Sequence, residues 1–278
     1  QGSTFHLFPV IRIILKECRF MAAVYGSQNY TVNGKIVALK WLETSLDPYS
    51  ADDDEITVRN IGSKSVGDTS YFGVNGVFFN MTSPYDVICF AMQDESAVRS
   101  NGDNNRLNGY FVRLNSNLGD GTFLAYFDGY DLPAPTGTPE LTFPLNHEGY
   151  TITKSNVKWA VGGLGLRIGI AGLTRTTFLN KFNNLYSCWS NRPRTAIGYK
   201  GGMKMILCTF FDPENPQNQT GGCDLWDVRT VMKDKFGCSF GLNLDGGGST
   251  QIAYKQSGTR YYVESTNRNV QTMITVPM

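Results

Sequence analysis

Ser239-Phe240-Gly241-Leu242-Asn243-Leu244 followed by Asp245-Gly246-Gly247-Gly248-Ser249-Thr250 and Gln251-Ile252-Ala253-Tyr254 reads as strand, loop, strand. Three consecutive glycines lose more backbone entropy than an ordinary hairpin turn requires, so some group must approach this loop closely. Just upstream, Asp224 stands at an N-cap position. Leu225, Val228, Val231, Met232 and Phe236 recur at helical spacing, and Gly237 sits where a helix stops. Helix, strand, glycine loop, strand is an α+β pattern.

Moving outward, turn dipeptides fall close together: Asn33-Gly34, Asn75-Gly76, Asn101-Gly102, Asn108-Gly109, Asp120-Gly121 and Asp128-Gly129. Such pairs tolerate positive φ and connect strands. Between them lie the β-forming runs 35–39, 86–90, 110–114 and 123–127. A second helix is expected over Thr176–Tyr186, with Phe178, Leu179, Phe182 and Leu185 on one face. With 30 glycines and 13% aromatic residues, the composition also favours β structure. The expectation is one α+β domain over residues 21–278 with an extensive, mostly antiparallel twisted sheet and a few helices. Residues 1–20 read either as an extension upstream of Met21 or as an N-terminal edge segment.

The charges nearly balance, with 25 Lys and Arg against 24 Asp and Glu. This excludes a strongly basic binder of duplex nucleic acid but leaves room for a local anion site. No apolar run approaches the roughly 20 residues of a membrane span, so a soluble chain is expected. Arg12 and Lys16 interrupt the apolar stretch at 8–16, which makes it a poor export signal and leaves the compartment open. Six cysteines, Cys18, Cys89, Cys188, Cys208, Cys223 and Cys238, are too dispersed for a metal knuckle, and their number permits either thiols or bridges. The acidic run Asp52-Asp53-Asp54-Glu55 lacks the alternate spacing of a calcium loop and reads as a solvated loop.

Three segments can carry chemistry. The amides of Gly246, Gly247 and Gly248 could line an anion nest, with the hydroxyls of Ser249 and Thr250 as further donors and Asp245 at the rim. No Gly-Lys-Ser/Thr follows, so this is no Walker loop. Arg194 beside Thr195 offers a planar fork and a hydroxyl suited to phosphate. Asn75-Gly76 precedes an aromatic strand, and its asparagine suits either a hairpin or a sugar hydroxyl. Triplets at Asn29, Asn80 and Asn218 fit the glycosylation acceptor pattern.

Together, Asn75-Gly76-Val77-Phe78-Phe79, Arg194-Thr195-Ala196-Ile197-Gly198 and Asn243-Leu244-Asp245-Gly246-Gly247-Gly248-Ser249 resemble three motifs of the phosphodiester glycosidase family, in order. Leu225-Trp226-Asp227, Ala160-Val161-Gly162-Gly163, and Arg268 with Val270 and Thr272 extend the resemblance from about Tyr71 to Val276. Val77 stands where the family has a second glycine, and Gly163-Leu164-Gly165 lacks the family's proline.

The resemblance implies hydrolysis of a sugar-1-phosphodiester, a small molecule or glycan, releasing an N-acetylglucosamine-like sugar and leaving a phosphomonoester. It makes Asp245 the base, nucleophile or hydroxyl ligand at the anomeric centre, and Arg194 the source of charge stabilisation with the Gly246–Gly248 amides. Asn75, Gly76, Thr195, Asn243, Ser249 and Arg268 become substrate-binding. No metal or cofactor is implied. A second carboxylate could come from Asp94, Glu95, Glu148, Asp227 or Glu264, and His147 has no supporting ligand spacing. The competing readings are a module that binds a phosphosugar or nucleotide without turnover, and an adhesin that grips phosphodiester-linked cell-wall glycan.

Overall fold

A computed structural model describes residues 22–46, 55–88, 90–94, 96–98, 109–115, 124–127, 145–147, 150–182 and 187–278. The expected N-terminal extension, the turns at 101–102, 120–121 and 128–129, Asp52–Asp54, Glu95, Glu148, Cys18 and Cys89 lie outside these residues.

In chain order the strands are β1 (Val24–Val32), β2 (Lys35–Ser45), β3 (Thr57–Lys64), β4 (Gly73–Asn75), β5 (Ala91–Gln93), β6 (Ser96–Ala97), β7 (Gly109–Leu114) and β8 (Leu124–Phe127). They continue with β9 (Leu145–His147), β10 (Tyr150–Ile152), β11 (Val157–Gly165), β12 (Arg194–Gly201), β13 (Lys204–Phe211), β14 (Phe240–Asn243), β15 (Gln251–Gln256), β16 (Thr259–Glu264) and β17 (Val270–Thr275). Helix α1 is Arg175–Lys181 and α2 is Leu225–Thr230. A ten-stranded sheet runs β1-β2-β13-β12-β14-β11-β5-β6, with β7 on β11 and β8 on β7; a five-stranded sheet runs β16-β15-β4-β17-β3. Every pairing within them is antiparallel.

The two sheets pack against each other. Val58, Val74, Ile252 and Ile274 of the smaller sheet share one core with Leu39, Leu42, Ile197, Leu207 and the fully buried Trp159 of the larger. Removing such side chains from water, at about 25 cal/mol per Å² of apolar surface, drives the docking. At the sheet margin, Tyr25 stacks on Tyr254 with ring centroids 3.7 Å apart.

The Asn33-Gly34 signal is a two-residue hairpin with both residues at positive φ, the geometry that matches strand twist. Helix α2 opens on the Asp224 cap, passes into a π-helical turn at Val231–Lys235 and stops at Gly237, φ +67°. Lys35 of the hairpin reaches Asp227 at 2.8 Å, tying the hairpin to this helix start. Helix α1 is shorter than expected: Thr174 caps it, and Phe182 already closes it.

Three expectations change. The run at 86–90 forms no strand among its described residues; it contributes one bridge, Phe79 with Val87, after a turn that places Tyr85 at positive φ. Asn75-Gly76 connects no hairpin. Gly76 instead lies so close to β17 that a Cβ would collide with Thr272. Glu55 is buried, not solvated, with Arg113 at 3.2 Å and Lys158 at 3.4 Å. Cys188, Cys208, Cys223 and Cys238 are buried free thiols, and burial pushes Cys238 up to about 12.

Candidate active site

The glycine loop crosses from β14 of the larger sheet to β15 of the smaller one, so both sheets position it. Its entry is fixed by the Leu244 amide, which donates to the Thr195 carbonyl at 2.8 Å. Its middle turns tightly, Ser249 N–H donating to the Gly246 carbonyl and Thr250 N–H to that of Gly247. Asn75 holds the loop from within. Its Nδ2 donates to the Asp245 carbonyl at 2.8 Å, while its Oδ1 accepts from Thr195 Oγ1 at 2.7 Å and from the Gln251 amide at 3.0 Å. Fully buried, Asn75 thereby uses both acceptor sites and one donor.

The Asp245 carboxyl accepts from the Gly246 amide at 2.8 Å and shares a hydrogen bond with the Ser249 hydroxyl. Burial raises its pKa from 3.8 to about 6, against the opposing pull of Ser249, the Gly246 amide and the positive charge of Arg268. Arg268 Nη1 donates to Ser249 Oγ at 3.4 Å, and its guanidinium lies where a Cβ on Gly248 would be, 2.9 Å from Cζ. The third glycine makes room for this cation. Thr266 Oγ1 donates to the Gly248 carbonyl at 2.7 Å and Ser265 Oγ to that of Gly247, stitching the arginine's segment to the turn.

Three expected anion donors are engaged within the protein. The Gly246 amide serves Asp245 and the Gly247 amide donates to the Pro193 carbonyl at 2.8 Å, leaving Gly248 as the amide of the three without such a bond among the described residues. Arg194 is buried, and its Nε and Nη2 donate to the carbonyls of Cys223 (3.2 Å), Ser187 (2.7 Å) and Ser190 (2.9 Å). It braces the 187–190 turn while its Cδ underlies Gly246. Desolvation lowers its pKa, the cost of a buried cation. Asn243 is fully buried behind the loop, donating to the Leu244 carbonyl at 2.7 Å. Among the expected partner carboxylates, Asp227 bonds Lys35 and Asn33, Glu264 accepts from Ser65 at 2.9 Å, and Asp94 lines a separate cleft. Among the described residues no group of three His, Cys, Asp or Glu side chains could hold a metal ion, and no helix is long and apolar enough to cross a membrane.

The sequence profile of phosphodiester glycosidases matches residues 68–277. The chain belongs to the phosphodiester glycosidase family. A comparison with curated proteins finds no match. Among solved structures, the catalytic domain of zebrafish N-acetylglucosamine-1-phosphodiester α-N-acetylglucosaminidase, auto-inhibited by its pro-peptide, superposes with a TM-score of 0.61 at 17% identity, over 92% of this chain and 83% of that one. A hypothetical protein from Synechocystis gives 0.55 at 13% identity, over 91% of this chain and 62% of that one. These likenesses establish the fold.

Two supporting residues complete the site in this member of the family: Gln251, which carried no signal of its own, and Thr272, which entered only through the resemblance of the C-terminal strand. Gln251 donates from Nε2 to the Arg268 carbonyl at 2.6 Å and accepts from the Val66 amide at 2.6 Å, so it orients the arginine's backbone. Thr272 accepts from the Gly76 amide through its carbonyl and from the Val77 amide through Oγ1. A buried glutamine or threonine in a strand looks like any other strand residue until its partners, 195 positions away for Thr272 and Val77, are known. The glycine triplet beside a carboxylate was the legible part.

Proposed function

We propose that the chain hydrolyses a sugar-1-phosphodiester at the glycine loop, releasing the sugar and leaving a phosphomonoester on the acceptor. The observation that carries this reading is Asp245: a carboxyl with a pKa near 6, gripped by Gly246 and Ser249 and faced by Arg268, whose guanidinium occupies the space a Cβ at Gly248 would need.

A phosphomonoester leaves an anomeric carbon readily, so the reaction asks more for stabilisation of negative charge than for a strong acid. Arg268, with the Gly248 amide and Ser249, supplies positive potential at the departing phosphate. Asp245, ionised above about pH 6, takes the proton of an attacking water as that oxygen bonds the anomeric carbon and the bond to the phosphate oxygen breaks. Inversion at the anomeric carbon fits this base role, whereas retention makes Asp245 the nucleophile. Asn75, Thr195 and Gln251 keep the loop rigid, and Arg194 acts as a brace beneath Gly246.

The test is incubation with N-acetylglucosamine-1-phospho-methylmannoside and with UDP-N-acetylglucosamine, with and without a chelator, reading free sugar together with the phosphomonoester from the first and UDP from the second. Release of both in equal amounts, unaffected by the chelator and lost in Asp245→Asn, supports the reading. Ligand-induced thermal stabilisation without any release favours a phosphosugar-binding module instead.

A further inference from the structure

Away from the glycine loop, a cleft of about 400 Å³ opens where the edge strand β3 of the smaller sheet meets β5 and β6 at the edge of the larger one. Its size falls in the range of small-ligand sites. Arg59 lies with its guanidinium 4.5 Å above the Tyr71 ring, and its Nε donates to Thr275 Oγ1 at 3.2 Å. Across the cleft, Gln93 is pinned by accepting from the Val58 amide at 2.9 Å, and its Nε2 donates to Asp94 Oδ1 at 3.2 Å. Among the described residues no ion pair joins Arg59 to Asp94, and none of them hydrogen-bonds Arg59 Nη1, Arg59 Nη2 or Asp94 Oδ2. A cation and an anion that border one cavity without pairing leave donors and an acceptor for a guest between them.

We infer that this cleft is a saccharide subsite that takes a neutral pyranose. Opposed charges leave no preference for a guest of net charge, while guanidinium, carboxylate and the Asn60 amide bond vicinal hydroxyls in both senses. Tyr71, 40% exposed, adds an aromatic surface for the C–H face of a sugar ring. Its position suits a second unit of one substrate. Asn75, Met273 and Arg59 stand in one row across β4, β17 and β3, two strand spacings or roughly 10 Å. That acceptor-side role rests on the hydrolase reading; saccharide binding by the cleft does not.

The experiment is saturation-transfer NMR of the full chain with maltose, cellobiose, N,N′-diacetylchitobiose and methyl α-mannopyranoside, with leucine as a zwitterionic control. Saturation should reach at least one sugar and not leucine. Tyr71→Ala and Asp94→Asn should each weaken that sugar's binding by about tenfold, the effect of losing one good contact. Ala97→Trp, at an exposed position on the cleft wall, should block it without disturbing the core, and Asp245→Asn should leave it unchanged. No transfer to any sugar, transfer indifferent to both Tyr71→Ala and Ala97→Trp, or binding of leucine in place of sugar overturns the inference. Hydrolysis that survives Asp245→Asn, with sugar binding still dependent on Tyr71, overturns the catalytic reading alone.

Discussion

Asn75 Nδ2 donates a 2.8 Å hydrogen bond to the main-chain carbonyl of Asp245, joining residues 170 positions apart. The proposed catalytic carboxylate is thus aimed by a side chain from the smaller sheet, on a loop that begins in the larger one. Asn75→Asp keeps the acceptor but replaces the donor with an anion opposite that carbonyl. It is expected to cost about 10²-fold in kcat/KM, in line with misplacing a reacting group by about 1 Å, and steady-state kinetics on a protein with native circular dichroism will show it.

For Asp245 itself, activity and stability should move in opposite directions. Its pKa is raised on folding from 3.8 to about 6, so the folded chain binds more protons than the unfolded chain between those values. Parent stability therefore falls as pH rises from about 4 to about 6 and then levels off. Asp245→Asn removes that cost: its melting temperature should exceed the parent's at pH 8 and converge with it below pH 4, while turnover drops by 10²-fold or more. Thermal melts across pH decide this, and a variant less stable at pH 8 contradicts it.

Gly248→Ala tests the cation through space alone. Its Cβ would sit 2.9 Å from Arg268 Cζ, forcing the guanidinium away from Ser249 without demanding an unusual φ. A loss of about 10²-fold in kcat, similar to that of Arg268→Ala and not additive with it, is expected. Full additivity in the double variant would separate the two residues.

Arg194 should behave as a structural residue. Arg194→Ala leaves the carbonyls of Ser187, Ser190 and Cys223 without this donor, and a loss of about 2–4 kcal/mol in urea unfolding is expected from orphaned buried acceptors. Arg194→Lys, lacking the fork, should recover little of it.

Glu55 makes a parallel case far from the loop. Glu55→Gln breaks a buried pairing with Arg113 and Lys158 and should destabilise the chain by about 3–5 kcal/mol, with turnover at saturating substrate unaffected in the remaining folded protein.

The parts legible in the sequence were those governed by local chemistry. Asn33-Gly34 announced a hairpin, Asp224 and Gly237 bounded a helix, and the glycine triplet announced a close approach, which proved to be that of Arg268. What local chemistry does not encode is the partner. Asn75-Gly76 has the composition of a turn, yet its glycine answers to Thr272 across the sheet. Arg194 has the composition of a phosphate clamp, yet its donors meet carbonyls that come close only when the 187–190 turn and the segment before α2 are folded together. Glu55 sits in an acidic run, and only the fold brings it two cations.

The Gln251 amide is bonded to Asn75 Oδ1 at the junction of the two sheets, on a residue that is almost wholly buried. Its hydrogen exchange should therefore track global unfolding, at the slowest rate in the molecule. The same closure means that the loop has no separate melting step: heat or denaturant should extinguish catalysis and the cooperative fold at one midpoint, making turnover a direct assay of the intact native population.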